Sequence, residues 1–158
     1  MNDREHTLTW DTHCHDLLKK AKQRIYFLRK LRSFGVKRDI LLLFYSAIIE
    51  KILTQSITVW YDRATMSDIS KLNSVRRNAE RIIGISLPPL IDIYHQRMEC
   101  KINNIMKDKF HPAYKYFEYL PSGKRFRAFC GNKRFVNSFF PAAVKYHNDN
   151  YKSFVKHK

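Results

Sequence analysis

The chain has 158 residues, and its 30 Lys and Arg against 14 Asp and Glu give a formal net charge of +16. With 44% hydrophobic and 14% aromatic residues but only four glycines and five prolines, it can pack a core, which excludes a disordered or low-complexity chain. Three scattered cysteines, Cys14, Cys100 and Cys130, make neither a disulfide framework nor a CxxC zinc pair, so a reduced, intracellular chain, nuclear or cytoplasmic, is expected.

The opening segment, Met1 to His6, is too polar for a signal peptide. Residues 11–33 then read as an amphipathic helix with Leu18, Ala21, Ile25 and Leu28 along one face. Lys19, Lys22, Tyr26, Arg29 and Lys30 share the opposite face, and Gly35 lies just past the end. The run Arg38–Val59 reads as a second helix, apolar nearly all round in its first half and therefore the buried centre. Its ten-residue apolar stretch from Ile40 to Ile49 is followed by Glu50-Lys51 and is half the ~20 residues of a membrane span, so no membrane partner is expected.

A third helix, capped by Ser67 or Asp68 and ended by Gly84, places Ile69, Leu72, Ala79 and Ile82-Ile83 inward, with Val75 or Arg76 among them. Arg77 and Arg81 fall on its other side. Leu87-Pro88-Pro89-Leu90 is a break, and a fourth helix follows to about Lys107 with Leu90, Ile93, Tyr94, Met98, Ile102 and Ile105 along it. Beyond His111-Pro112 the rings of Tyr114, Tyr116, Phe117, Tyr119, Phe126 and Phe129 interleave with cations around a Pro121-Ser122-Gly123 turn. Arg125 to Phe129 can form short strands or an ordered tail, and Pro141 opens a last helix through His147. The expected fold is mainly α: one domain over residues 1–158, a bundle of four to five helices over 11–107 and an aromatic, basic tail over 112–150 that can hold short strands.

The charge is clustered. Residues 17–38 hold nine Lys/Arg and no acid, and residues 109–158 hold eleven against Glu118 and Asp149 alone. Such clusters repel one another unless a polyanion neutralises them, and nucleic acid is the commonest. Two patches are expected to bind it: the helical stripe Lys19, Lys22, Arg29 and Lys30, and Lys124, Arg125 and Arg127 flanking the turn with Phe126 and Phe129 as stacking rings; Arg77 and Arg81 are further nucleic-acid-binding candidates. Enzymatic constellations fail. There is no GxGxxG, P-loop or GxSxG motif, and adjacent residues on a helix point ~100° apart, so His13-Cys14-His15 cannot easily share a metal. His147-Asn148-Asp149 has an H-x-D spacing but only nine residues after it, too few for a distal histidine and its barrel. No catalytic residue, metal or cofactor is expected.

Several blocks together resemble a known family. They are Leu8-Thr9-Trp10, Lys19 to Leu31, Phe44-Tyr45, Ile49-Glu50, Val59-Trp60, Ala79 to Gly84 and Leu87-Pro88. Two later blocks, Leu120 to Arg127 and Asn137 to Val144, complete the set. In this order they resemble the thumb and post-polymerase part of LINE-type non-LTR retrotransposon reverse transcriptases. The resemblance implies handling of RNA or an RNA–DNA hybrid without the polymerase chemistry, since no adjacent Asp pair occurs. The helical segment is also similar to the N-terminal domain of the AlkB homologue 8 family. That likeness would attach 2-oxoglutarate dioxygenase or tRNA methyltransferase activity in name, although those activities belong to other domains of that family. A helical module that docks a protein partner through apolar grooves is the third reading.

Overall fold

The structure, a computed structural model, describes residues 10–136 and 138–154. Leu8, Thr9 and Asn137 of the resemblance lie outside the described residues. The chain is mainly helical and falls into two compact units, residues 1–93 and 94–158.

In the first unit, α1 (Trp10–Ser33) buries Cys14, Leu17, Ala21, Ile25 and Leu28, a 3-4-4-3 spacing that keeps one stripe inward. Leu17 takes the place expected of Leu18. The helix ends at Gly35 in the left-handed region (φ +75°), where the Val36 N–H donates back to the Leu31 carbonyl at 3.2 Å.

The run that follows is not one continuous α-helix. It comprises α2 (Arg38–Phe44), a π-helical turn (Tyr45–Glu50), α3 (Lys51–Leu53), a break at Thr54–Ser56, α4 (Ile57–Trp60) and a 3₁₀ turn (Tyr61–Arg63). Its buried ladder is Leu41, Tyr45, Ile49, Leu53, Ile57 and Trp60, four apart until the last step, with Thr54, Thr58 and Tyr61 buried beside it. A four-residue step drifts by ~40° on an α-helix of 3.6 residues per turn. The wider π turn absorbs part of that drift, and so the ladder stays on one face. At the break Ser56 has φ +51°, and the Trp60 indole N–H donates to the Gln55 carbonyl at 2.7 Å. The Thr54 hydroxyl donates to the Glu50 carbonyl at 2.8 Å. By length and composition Arg38–Arg63 is apolar enough to cross a membrane, and 33% of its most apolar window is buried.

This corrects the expectation of a helix buried all round. Leu43 and Ile40 are exposed, and Leu42 is 36% exposed, because only the four-residue ladder faces α1 and the helix after the 3₁₀ turn. That helix is α5 (Met66–Ile83), with Leu72, Val75, Ala79 and Ile83 buried. Its cap is Thr65, not Ser67 or Asp68: the Thr65 hydroxyl oxygen accepts from the Asp68 N–H at 3.1 Å. That hydroxyl also donates to the Asp68 carboxylate at 2.7 Å, which holds the acid below the usual carboxylate range. Gly84 (φ +81°) closes the helix. Arg76, half-buried, pairs with Glu80 and donates to the Leu87 carbonyl at 2.6 Å, while the Leu87 N–H donates to Glu80 at 2.9 Å. This clamp folds the Pro-rich turn back onto α5.

Helix α6 (Leu90–Lys107) carries the unit boundary after Ile93 and buries Leu90, Ile93, Tyr94, Met98, Ile102 and Ile105, as the spacing predicts. The second unit then holds a 3₁₀ turn (Tyr114–Tyr116), α7 (Lys133–Val136) and α8 (Phe139–Phe154). Among the described residues the short strands allowed for reduce to a single antiparallel bridge, Tyr119 with Phe126. The last helix starts two residues before Pro141 and runs beyond His147. Pro141 sits in its first turn, where a missing N–H costs nothing.

The ladder predicts contrasting stabilities. Ile49→Ala removes a fully buried side chain and is expected to cost ~2–5 kcal/mol, while Leu42→Ala, already partly exposed, costs a minor fraction of that. Urea unfolding of both variants checks the ordering.

Candidate nucleic-acid interface

Because α1 spends one stripe on the core, its other faces stay in solvent. Lys19, Lys22, Arg29 and Lys30 are all exposed, with Tyr26 among them at 56% exposure. From residue 19 to residue 30 the helix advances ~17 Å, which matches about five phosphates of one strand at 3.4 Å each. Lys30 Nζ stands 5.8 Å from the Tyr26 ring centroid, so a cation and an open ring face are presented together. Arg77 and Arg81, four residues apart on α5, are exposed and lie opposite its buried stripe. Asp68 pairs with the neighbouring Lys71 at 3.3 Å, which leaves that lysine partly neutralised.

The second patch sits on a hairpin. Pro121 and Ser122 lie within a turn closed by the Gly123 N–H donating to the Leu120 carbonyl at 2.8 Å, with Gly123 at φ +66°. The Leu120 N–H donates to the Arg125 carbonyl at 2.7 Å, and the Arg127 N–H to the Glu118 carbonyl at 2.8 Å. Lys124, Arg125 and Arg127 are exposed. Extended backbone alternates faces, so Phe126 points the other way.

Phe126 is 1% exposed, and its assignment as a stacking ring is corrected. Its ring lies 4.3 Å from His147, 4.4 Å from Tyr119 and 5.4 Å from Phe117 by centroid, so no base can reach its face. The Asn148 side chain of α8 holds it from behind. The Phe126 N–H donates to Asn148 Oδ1 at 2.8 Å, and Asn148 Nδ2 donates to the Phe126 carbonyl at 2.9 Å. One amide thus supplies both hydrogen bonds that a neighbouring strand would have made. Sequence reasoning missed this grip, since the partners are 22 residues apart and an asparagine in a helix carries no such signal. The exposed ring within a basic stripe is Tyr26, whose place beside the lysines the helical spacing does show.

The sequence clusters that suggest metal chemistry are pulled apart. Cys14 is buried, its thiol pushed up to about 11 by burial and by the charges of Asp68 and Asp11, while His15 is exposed and His13 packs edge-on to Trp10. His147 is buried and Asp149 exposed. Among the described residues, no three His, Cys, Asp or Glu side chains gather as a metal site would require.

The family described as Alkylated DNA repair protein alkB homolog 8, N-terminal, matches residues 10–51. That segment takes in α1, α2 and the π turn, and with them Lys19, Lys22, Tyr26, Arg29 and Lys30. No curated protein and no solved structure matched the chain. The chain is similar to the AlkB homologue 8 N-terminal family over its first helix and the start of the core ladder.

Two outcomes test the hairpin anchor. Asn148→Ala leaves two backbone groups of a buried residue unpaired, at ~1–3 kcal/mol each, so the full chain is expected to lose about 2 kcal/mol or more in urea unfolding while Lys124→Gln, at an exposed position, barely changes it. Burial holds His147 below its ordinary 6.5, in the neutral form. The unfolded chain therefore takes up the proton first, and stability present above pH 6.5 drains away as pH falls through the lower folded value. Thermal melts between pH 7 and 5 should show a shallower decline for His147→Gln than for the parent chain.

Proposed function

We propose that this chain is a non-catalytic module that binds nucleic acid, RNA or an RNA–DNA hybrid, through the outer face of α1. One observation carries the reading: Lys19, Lys22, Arg29 and Lys30 all stand in solvent on one ~17 Å stripe around an open tyrosine ring. Phosphates neutralise the cations, and an unpaired base stacks on Tyr26. Arg77, Arg81, Lys124, Arg125 and Arg127 add further phosphate contacts. The family matched over residues 10–51 is named for an alkylated-DNA repair protein, and the matched segment contains the stripe, which supports a role in handling nucleic acid. Descent from a non-LTR retrotransposon reverse transcriptase rests on the sequence blocks from Leu8 to Val144 and belongs to this proposal. The hydroxylase and methyltransferase activities linked with AlkB homologue 8 are not part of it.

Salt dependence is the test. If about five cations touch phosphate, log Kd against log salt should have a slope near 4 in magnitude, at ~0.7–0.9 per phosphate. Lys19→Gln with Lys22→Gln should flatten it by about one to two units for any sequence. Tyr26→Ala should weaken single-strand binding with little change in slope, whereas the parent and Phe126→Leu chains bind alike. Absence of measurable binding to single-stranded RNA, hybrid and duplex DNA at ~50 mM salt would sink the proposal.

A further inference from the structure

A second face of α1 faces neither the core nor the lysine stripe. Together with the start of the core ladder it forms an open groove of about 450 Å³, floored by Phe27, Leu31, Phe34, Phe44 and Ile48 and rimmed by Arg24 and Lys30. Phe34 is 78% exposed, and Ile40 and Leu43 are exposed on α2, which contributes Phe44 to the floor. A contiguous apolar surface of this kind on a soluble domain marks a place where something binds.

The geometry points to a docking site for an acidic amphipathic helix of a partner protein. Its length and charge select this occupant. Residues 24–33 extend ~14 Å along α1, the length of two to three helical turns, with Phe34 just past its end, so apolar anchors at i, i+3 or i+4 and i+7 span the floor. Arg24 lies over the Phe27 ring at 5.8 Å, and Lys30 over Tyr26 at 5.8 Å. Neither has a carboxylate partner among the described residues. Glutamate or aspartate flanking the anchors would supply those partners. A second copy of the chain is disfavoured, because +16 would meet +16. Phosphate contacts alone do not account for the floor, since five apolar side chains offer a phosphate nothing.

The full chain would be titrated with a labelled 16-residue peptide carrying Leu at i, i+3, i+4 and i+7 and Glu at the exposed positions. Controls are the same peptide with Lys for Glu, and a composition-matched scramble without an apolar stripe. Saturable one-to-one binding is expected for the acidic peptide, at least tenfold weaker binding for the scramble and none for the Lys form. Phe34→Ser and Phe44→Ser should each weaken the acidic peptide at least fivefold and leave RNA affinity unchanged. Lys19→Gln with Lys22→Gln should do the reverse, so the two readings stand or fall separately. Phe34 is so exposed that its substitution does not threaten folding, which circular dichroism verifies. Equal binding of the scramble, or indifference to Phe34→Ser, would reduce the contact to charge and overturn the proposal. Loss of peptide binding alongside Phe34-dependent retention on phosphatidylserine vesicles would assign the face to a membrane instead.

Discussion

The first unit depends on keeping six side chains, Leu41, Tyr45, Ile49, Leu53, Ile57 and Trp60, on one line although they recur every four residues. A regular α-helix would rotate that line by ~40° at each step, more than a third of a turn by Ile57. The chain meets the constraint by widening into a π turn at Tyr45–Glu50 and breaking at Ser56. Trp60, fully buried, then caps the carbonyl that the break exposes. Tyr45 bears a cost: its hydroxyl is buried without a partner among the described residues, and burial pushes its proton affinity well above the ordinary tyrosine value.

With the ladder fixed, α1 has a defined inner stripe, and its remaining circumference is divided between two chemistries. Lys19, Lys22, Tyr26, Arg29 and Lys30 occupy one arc, while Arg24, Phe27, Leu31 and Phe34 occupy the next. A helix committed on one side to its own core can therefore offer a polyanion and an acidic amphipathic segment different surfaces. Lys30 touches both arcs, so the two occupants would compete for a single cation and otherwise bind independently.

The second unit positions its cations by a different device. A tight turn alone would leave Lys124, Arg125 and Arg127 on a two-residue ladder with little to hold it, since an isolated bridge is marginal in water. Asn148 supplies the missing edge from a helix, and the Phe126 ring supplies the apolar contact. Once Phe126 is anchored inward, strand alternation turns Arg125 and Arg127 outward. The aromatic residue that looked like a ligand-binding ring is the reason the arginines face solvent.

Periodicity and punctuation were sufficient for much of this. The helices α1, α5 and α6, the glycines at 35 and 84 that end two of them, and the exposure of every predicted cation follow from local patterns that hold whatever surrounds them. Which residues of an all-apolar stretch are buried does not follow: Ile40 to Leu43 all suit a core, and only contact with α1 and α5 selects Leu41. Thr65 as the cap, Leu17 in place of Leu18 and the inward turn of Phe126 are likewise decided by what packs beside them. So is the grip of Asn148, because a hydrogen bond between residues far apart in sequence exists only after the chain has brought them together. Composition set the net charge of +16; tertiary structure decided which arc of α1 and which edge of the hairpin present it.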